Sequence, residues 1–348
     1  MPPQRRWVLS CTATVRIRGL SGIFANIMKV LISDKCSPKG IKILQETKGI
    51  EVLNQPGLGK DIDKLKEVIA DVDAIIIRSA TKLKADILSC AKKLKVIARA
   101  GIGVDNVDIP AASKQGIIVM NTPFGNTVTT AEHAIAMMFA CSRQIPQATA
   151  SIRAGKWEKN AFMGSEIFNK TLGLIGAGNI GKIVADRAAG LKMNVIVYDP
   201  FLTEAAVTAL GAKKVELDDL YKTADYITIH TPKNEKTAGM VNKQAFEKMK
   251  KGVFIINCAR GGIINEIDLC AAIENGIVAG AALDVFEKEP VDPHHPLLKS
   301  DKVIFTPHLG ASTHEAQDNV AIDAANQIAA FLTKGELINA LNADAVKK

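Results

Sequence analysis

Gly176-Ala177-Gly178-Asn179-Ile180-Gly181 directly follows the apolar run Thr171–Ile175 and opens a helical pattern. A strand that leads through G-x-G-x-x-G into a helix is typical of dinucleotide-binding domains. Gly176 permits the tight turn, Gly178 lets the backbone approach a pyrophosphate, and Gly181 lets the helix pack closely on the strand. N–H groups at the helix start would bind the pyrophosphate. The sequence therefore predicts a Rossmann domain that binds a dinucleotide.

An acidic residue indicates which dinucleotide is bound. Asp199 lies eighteen residues beyond Gly181, at the end of the apolar run Val195–Tyr198. A carboxylate at that place accepts hydrogen bonds from the adenosine ribose. A ribose 2′-phosphate at about 4 Å would be repelled by roughly 4 kcal/mol at an effective dielectric of about 20. We therefore predict NAD rather than NADP as the cofactor.

The chain as a whole alternates apolar runs with helical patterns. Its 348 residues exceed the usual size of one domain, so two domains are expected. Runs such as Ala74-Ile75-Ile76-Ile77 are continuously apolar, as in parallel strands that helices cover on both faces. We therefore predict an α/β fold of two doubly wound parallel-sheet domains.

The last helical stretch sets the domain boundaries. Residues 313–333 carry an apolar stripe that must be buried, and we infer that this helix returns to the first domain. The predicted substrate domain comprises residues 28–122 and 313–348. The predicted NAD-binding domain, residues 123–312, is inserted between these two segments.

The segment before the first domain contributes much of the positive charge. Residues 1–27 carry four arginines and no acid, and subtracting them from the formal net charge of +8 leaves +4. Two interpretations of this extension stay open: a weak transit peptide, or a misassigned start with translation beginning at Met28. We favour the misassigned start. Elsewhere lysines alternate with acids, so no nucleic-acid partner is expected.

Cysteine spacing and hydropathy bear on location. The six cysteines are widely spaced, without C-x-x-C pairs or histidines at metal-ligand spacing, so neither a metal site nor a disulfide is expected. Dispersed cysteines of this kind are typical of reduced, cytoplasmic proteins. No run of about eighteen apolar residues occurs, so no membrane partner is expected either.

Three polar side chains follow apolar runs and could carry out hydride-transfer chemistry. Reduction of a 2-oxo acid needs a proton donor, a group that fixes its protonation, and a cation for the carboxylate. Arg260 follows the run Val253–Ile256, and its planar guanidinium suits two carboxylate oxygens. His308 lies in a Pro-His-Leu-Gly turn, and Glu289 is the carboxylate best placed to orient its imidazole.

Seven ordered motifs resemble the D-isomer-specific 2-hydroxyacid dehydrogenase family. They are Arg78–Thr81, Gly101–Asp108, Asn121–Asn126, Gly176–Gly181, Cys258–Gly262, Asp284–Pro290 and His308–Thr313. The resemblance implies a flavodoxin-like substrate domain with an inserted Rossmann NAD-binding domain. It also implies that His308 is the general acid and base, Glu289 its partner, and Arg260 the group that binds the carboxylate and polarises the carbonyl.

The resemblance implies further contacts and an assembly. Substrate contacts are expected from first-domain loops that would close over the cleft, at Arg78, Ser79, Arg99 and Asn126. Cofactor contacts are expected from Gly176, Gly178, Asn179, Ile180, Gly181, Asp199, Thr231, Cys258, Ala259, Arg260, Asp284, His308, Leu309, Gly310 and Ala311. A homodimer through the region 130–143 is implied as well.

Two arginines bear on the identity of the substrate. Arg78 and Arg99 indicate a second anionic site that a phosphate would fill, which favours 3-phosphoglycerate and 3-phosphohydroxypyruvate. Alternatives within the family are a glyoxylate or hydroxypyruvate reductase and a D-lactate dehydrogenase. A non-enzymatic NAD-sensing corepressor on the same fold is disfavoured, because the arginine, glutamate and histidine are all present.

Two features depart from the family pattern. Ile102 stands where related sequences carry a polar threonine, so a contact to cofactor or substrate is not expected there. The sequence ends at Lys348, shortly after the last helical stretch. We therefore expect no regulatory domain that senses serine, and no effect of L-serine on activity.

Overall fold

The computed structural model describes residues 15–16 and 27–346, so most of the predicted extension lies outside the described residues. The strands are β1 (Val15–Arg16), β2 (Met28–Ile32), β3 (Ile50–Asn54), β4 (Ala74–Ile77), β5 (Val96–Arg99), β6 (Ile118–Asn121), β7 (Thr171–Ile175), β8 (Asn194–Tyr198), β9 (Lys213–Lys214), β10 (Tyr226–Ile229), β11 (Val253–Asn257), β12 (Val278–Leu283), β13 (Val303–Phe305) and β14 (Glu336–Leu337). The helices are α1 (Pro38–Glu46), α2 (Ile62–Ile69), α3 (Ala85–Leu88), α4 (Ile109–Lys114), α5 (Thr127–Ser142), α6 (Ile145–Arg153), α7 (Asn179–Gly190), α8 (Glu204–Thr208), α9 (Leu217–Thr223), α10 (Lys243–Lys248), α11 (Glu266–Glu274), α12 (His314–Lys334) and α13 (Ala343–Val346).

The chain divides into two compact units. The first contains residues 1–126 and 313–348, and the second contains residues 127–312. The first boundary therefore lies four residues beyond the position inferred from sequence, at the start of α5. Among the described residues, no helix is long and apolar enough to cross a membrane.

The first unit is built on a parallel sheet in the order β3-β2-β4-β5-β6. Counted along the chain, this order is 2-1-3-4-5, which is the flavodoxin-like arrangement. All four residues of β4 are buried, because helices cover both faces of the sheet. The predicted fold class is confirmed for this unit.

Helix α12 completes the core of the first unit. Ala324, Ala325 and Ile328 are fully buried in a cluster with residues of the sheet, including Val30 and Met120. The carboxamide of Gln327 donates to the backbone oxygen of Asn121 at 2.8 Å. The apolar stripe of this helix is thus buried on the sheet of residues 27–126.

The second unit contains a parallel sheet in the order β13-β12-β11-β10-β7-β8-β9. Counted within the unit, the order is 7-6-5-4-1-2-3, which is the Rossmann arrangement with one added edge strand. The predicted Rossmann fold is confirmed. The predicted site residues of this unit follow the carboxyl ends of its strands. Ligands bind at this edge in open α/β sheets.

Candidate active site

The glycine loop between β7 and α7 is closed on one side and open on the other. Gly176 has a φ of 89°, and a Cβ there would lie 2.7 Å from the backbone oxygen of His230. A Cβ on Gly181 would collide with the backbone oxygen of Gly176. Among the described residues, nothing beyond its own chain neighbours lies within 4 Å of a Cβ built on Gly178. The loop therefore leaves space for a ligand where Gly178 faces outward.

The start of α7 supplies hydrogen-bond donors to that space. Helix α7 begins at Asn179, and its N-cap is Gly178, which has no side chain to cap the first turn. The N–H groups of Asn179 and Ile180 belong to the donors that a helix leaves unsatisfied at its N-terminus. These donors and the helix dipole suit a pyrophosphate. The loop and helix therefore fit the cofactor that the sequence predicts.

Asp199 lies directly after β8 and is 7% exposed. One carboxylate oxygen accepts the N–H of Ala177 at 2.9 Å, and the other accepts those of Phe201 at 2.8 Å and Leu202 at 3.2 Å. The carboxylate thus ties the glycine loop to the turn after β8. Since a carboxylate can accept about four hydrogen bonds, one acceptor position is left for a ribose hydroxyl.

His308 and Glu289 form a close pair in the second unit. The imidazole Nδ1 and the carboxylate Oε2 lie 2.7 Å apart, and the other carboxylate oxygen accepts the N–H of Phe286 at 3.1 Å. Burial by itself would raise the pKa of Glu289, but the hydrogen bonds from His308 and Phe286 lower it below the ordinary value. The carboxylate is therefore charged at neutral pH and can stabilise an imidazolium.

The turn that carries His308 is held by Asp284, which follows β12. His308 has a φ of 55°, and its N–H donates to the backbone oxygen of Asp284 at 2.9 Å. The Asp284 carboxylate accepts the N–H groups of Leu309 at 2.6 Å and Gly310 at 2.8 Å. The sequence predicts Asp284 as a cofactor contact, and the structure gives it a second task, because it fixes the left-handed turn at His308.

Two further side chains support Asp284. Thr306 donates its hydroxyl proton to the Asp284 carboxylate at 2.5 Å, and the Nε2 of His133 lies 3.2 Å from that carboxylate and 3.1 Å from the Thr306 hydroxyl. Burial of Asp284 would raise its pKa, but the hydrogen bonds from His133, Thr306 and Leu309 lower it. The buried carboxylate consequently keeps its charge.

Sequence reasoning missed His133, although one signal pointed to it. His133 lies three residues after Thr130, whose hydroxyl donates to the backbone oxygen of Gly310 at 2.8 Å. Polar residues three apart share one face of a helix, and here they interrupt the buried face of α5. Both side chains of this face contact the segment around His308.

The loop after β11 carries Arg260 and lies against the loop that carries Glu289. The side chain of Asn257 accepts the N–H of Ala259 at 3.0 Å and donates to the backbone oxygen of Arg260 at 2.9 Å. A Cβ on Gly261 would collide with the carbonyl of Phe286. These contacts fix the backbone from which the Arg260 guanidinium extends.

An apolar cavity of about 530 Å³ adjoins the His308 and Glu289 pair. Its other lining residues are Phe286, Pro290, Val291, Leu298, Phe305, Thr306 and Pro307. The wall is apolar on one side of the pair, while the His308 and Glu289 side chains are 44% and 38% exposed.

The four predicted substrate contacts all belong to the first unit. Asp34 accepts the N–H of Arg78 at 2.6 Å, and Asn106 donates to the Arg78 backbone oxygen at 2.6 Å, so the backbone after β4 is fixed. The Arg78 side chain donates to the Lys35 backbone oxygen at 3.3 Å. Burial lowers the pKa of Arg78, although a guanidinium stays charged in any case.

The other substrate candidates vary in exposure. Ser79 is exposed, Arg99 is half-buried and Asn126 is buried. A Cβ on Gly101, which has a φ of 142°, would collide with the Arg99 guanidinium, so this glycine makes room for the arginine.

In the second unit, Arg260, Asp284 and His308 lie in the loops that follow β11, β12 and β13. These strands are neighbours in the sheet, so the three loops leave the same edge. The other cofactor candidates at this sheet edge are Thr231 after β10, Cys258 and Ala259 after β11, and Ala311 after β13. Burial raises the pKa of the Cys258 thiol well above its ordinary value, so the thiol is uncharged at neutral pH. Cys258 can therefore serve as an apolar contact but not as a nucleophile.

Comparison with known proteins places these features in a family. Residues 135–310 match the family model described as D-isomer specific 2-hydroxyacid dehydrogenase, NAD binding domain. The chain is 46% identical over 320 residues to D-3-phosphoglycerate dehydrogenase of Archaeoglobus fulgidus, which covers 92% of this chain. It is 47% identical over 300 residues to the enzyme of the same name from Synechocystis, which covers 86% of this chain.

The chain spans 60% of the length of the first of these relatives and 53% of the second. Among solved structures, it is similar to a glyoxylate reductase from Paecilomyes thermophila, with a TM-score of 0.82 and 31% sequence identity. That match covers 91% of this chain and 99% of the reductase.

Proposed function

The chain belongs to the D-isomer-specific 2-hydroxyacid dehydrogenase family, and we propose that it oxidises 3-phosphoglycerate to 3-phosphohydroxypyruvate with NAD. This reaction would be the first step of the phosphorylated route to serine. The observation that carries the proposal is the 2.7 Å hydrogen bond between His308 and Glu289, on a sheet edge that also carries Arg260. The two relatives named for phosphoglycerate support the substrate.

Each catalytic group has one task in the proposed mechanism. When bound, NAD would accept a hydride from C2 of the hydroxy acid. The Nε2 of His308 takes the proton of the C2 hydroxyl, because Nδ1 is occupied by the hydrogen bond to Glu289. Glu289 stabilises the imidazolium that forms, and Arg260 holds the substrate carboxylate. In the reverse direction, His308 returns the same proton to the carbonyl oxygen.

The residues of the second unit would also select the cofactor. The glycine loop and the N-terminus of α7 would hold the pyrophosphate, and Asp199 would accept a ribose hydroxyl. Asp199 is buried and bonded to the loop itself, so it could not move away from a 2′-phosphate without breaking those bonds. The protein should therefore use NAD in preference to NADP.

A phosphate-bearing substrate is supported by the two arginines of the first unit. Arg78 and Arg99 supply two guanidinium groups, which lactate or glyoxylate would not need. Arg78→Ala should raise the KM for 3-phosphohydroxypyruvate far more than the KM for hydroxypyruvate, which lacks the phosphate. An equal effect on both substrates would argue against a phosphate contact at Arg78.

We also propose that two copies of the chain associate through the region 130–143, which the resemblance implies, and through the adjoining helix α6. The segment from α6 onward exposes large apolar side chains, namely Ile145, Ile152, Trp157 and Met163, which are between 51% and 84% exposed. Scattered apolar residues are common on surfaces, but neighbouring ones often mark interfaces. Sedimentation should give a dimer for the wild type and a monomer for Ile152→Glu.

The dispersed cysteines support a cytoplasmic location, which cell fractionation would test.

A substrate panel tests the proposed reaction. Purified protein should reduce 3-phosphohydroxypyruvate with NADH at a higher kcat/KM than hydroxypyruvate, glyoxylate or pyruvate. In the other direction it should oxidise 3-phosphoglycerate in preference to D-lactate, glycerate and D-2-hydroxyglutarate. A higher kcat/KM for glyoxylate or pyruvate would assign the chain to another activity of the family. Absence of turnover with every substrate, despite NADH binding, would favour the corepressor interpretation.

A further inference from the structure

A second imidazole–carboxylate pair lies next to the loop that carries Glu289. Glu266 is the first residue of α11 and is 7% exposed, and its Oε2 lies 3.2 Å from the Nε2 of His295. The Nδ1 of His295 accepts the N–H of Leu297 at 3.3 Å. Because Nδ1 accepts a hydrogen bond, the proton of the neutral ring is on Nε2 and is donated to Glu266.

The second pair is bonded to the same loop as the first. We call residues 284–291 the acid loop. The Oε1 of Glu266 accepts the N–H of Glu287 at 2.6 Å, and the Oε1 of Glu289 accepts the N–H of Phe286 at 3.1 Å. The consecutive N–H groups of Phe286 and Glu287 are thus bound by the carboxylates of Glu289 and Glu266. Glu289 also pairs with His308, and Glu266 with His295.

This arrangement leaves the acid loop little freedom. Glu287 is only two residues from Glu289, so a displacement at the first would be passed to the second. On the other side, the loop is in contact with Gly261, whose missing side chain allows the Phe286 carbonyl to approach. The position of Glu289 therefore depends on the bond between Glu266 and Glu287.

The surroundings of Glu266 disfavour a buried carboxylate, so stability alone does not explain a glutamate at this position. Burial raises the pKa of Glu266 and the nearby charges of Glu287 and Glu289 raise it further, while the Glu287 amide and His295 oppose the shift. Glu289 in turn faces the charge of Asp284. An apolar residue in this place would avoid the desolvation of a charged group. What the carboxylate provides instead is a directed hydrogen bond to the acid loop.

We propose that Glu266 and His295 are positioning residues that hold the acid loop so that Glu289 keeps its hydrogen bond to His308. The inference rests on the proposed function only in assigning acid–base chemistry to His308. Neither residue is proposed to contact substrate or cofactor.

The test compares two substitutions of His295. His295→Ala removes the donor to Glu266, whereas His295→Gln keeps an N–H near the same place. His295→Ala should lower kcat for 3-phosphohydroxypyruvate reduction by about 10- to 100-fold, because a displacement of about 1 Å is sufficient for that effect. Its KM for NADH should change by less than about twofold. His295→Gln should recover most of the lost activity.

A pH profile distinguishes a displacement of Glu289 from a general loss of protein stability. Reduction requires a protonated His308, and Glu289 favours that form, so a displaced Glu289 should move the alkaline midpoint of kcat/KM to lower pH. We expect a move of about half a unit or more in His295→Ala. Asp225→Asn is the matched control, because Asp225 also accepts a backbone N–H, from Thr171 at 2.8 Å, and pairs with Lys250 at the opposite end of the sheet. It should change the melting temperature without moving the midpoint.

NMR titration of the His308 ring gives a readout that needs no turnover. Its midpoint should fall in His295→Ala and stay near the wild-type value in His295→Gln and Asp225→Asn. An unchanged midpoint in folded His295→Ala would overturn the proposal, as would an equal shift in Asp225→Asn. Failure of the wild type to turn over any substrate would contradict the proposed function, while the NMR result would still decide the positioning role.

Discussion

Replacing Gly261 by alanine should disable the site without preventing NAD binding. A Cβ on this residue would lie 2.6 Å from the amide nitrogen of Glu287 and closer still to the carbonyl of Phe286. The nearest atom, the Phe286 carbonyl oxygen, would lie 1.7 Å from that Cβ, so reaching the separation of about 3.5 Å that is ordinary between nonbonded atoms requires one backbone to move by roughly 1.8 Å. The move would separate the Arg260 loop from the loop that carries Glu289. A misplacement of about 1 Å already lowers reaction rates by about 100-fold, so we expect a loss of at least this size in kcat/KM.

The assay for this prediction pairs kinetics with binding and stability. NADH titration by fluorescence should still show binding, with a smaller loss than that in kcat/KM, because the glycine loop and Asp199 are untouched although the displaced loop carries the expected cofactor contacts Cys258, Ala259 and Arg260. Overpacking of this kind typically lowers the free energy of unfolding by about 1–3 kcal/mol, which a thermal melt would detect. Gly190→Ala is the control, since in the described structure a Cβ there meets nothing within 4 Å outside its own helix. A Gly261→Ala variant with wild-type kcat/KM would refute the reasoning.

Three further outcomes are expected. His308→Ala should lower kcat by about 10²- to 10⁴-fold with little change in NADH affinity; near-normal turnover would remove it from the mechanism. Asp199→Ala should raise kcat/KM with NADP relative to NAD, and an unchanged ratio would mean that Asp199 does not face the ribose. Hydrogen bonds from Lys29 and Lys93 lower the pKa of Asp71 to about 2, so its stabilising effect is complete above pH 3.8 and is lost as pH falls through about 2. The melting temperature of Asp71→Asn should therefore lie below that of the wild type at pH 5 and converge with it near pH 2.

The fold could be predicted because its signals are local in sequence. The apolar run Ala74–Ile77 forms a strand that is buried on both faces, and the glycine loop lies between a strand and a helix as expected. Sheet order was implied only through the resemblance, because no local pattern states which strand lies beside which. The second unit starts at Thr127, four residues after the predicted position, because Gly125 packs closely on Val320 of α12 and residues 123–126 stay with the first unit.

The site was predictable where a residue follows a strand in a recognisable motif, as His308 and Arg260 do. The supporting residues were not, because their partners are distant in the chain. Glu266 meets the backbone of a residue 21 positions away, and His133 meets a threonine 173 positions away. No spacing rule links such pairs, and single histidines are more often structural than functional. The spacing of Thr130 and His133 indicates a polar face on α5, but only the three-dimensional contacts identify its partners.

The return of α12 to the first unit has a consequence for synthesis on the ribosome. Ala324 and Ile328 complete the apolar cluster around Val30 and Met120, yet they are translated after all of residues 127–312. Domains generally fold in the order in which they emerge. Here the inserted unit is continuous in sequence and can finish first, while the unit that begins to emerge earlier must wait with one sheet face only partly covered, by α1. The nascent chain should consequently be most exposed to chaperones and proteases at the face that α12 later covers.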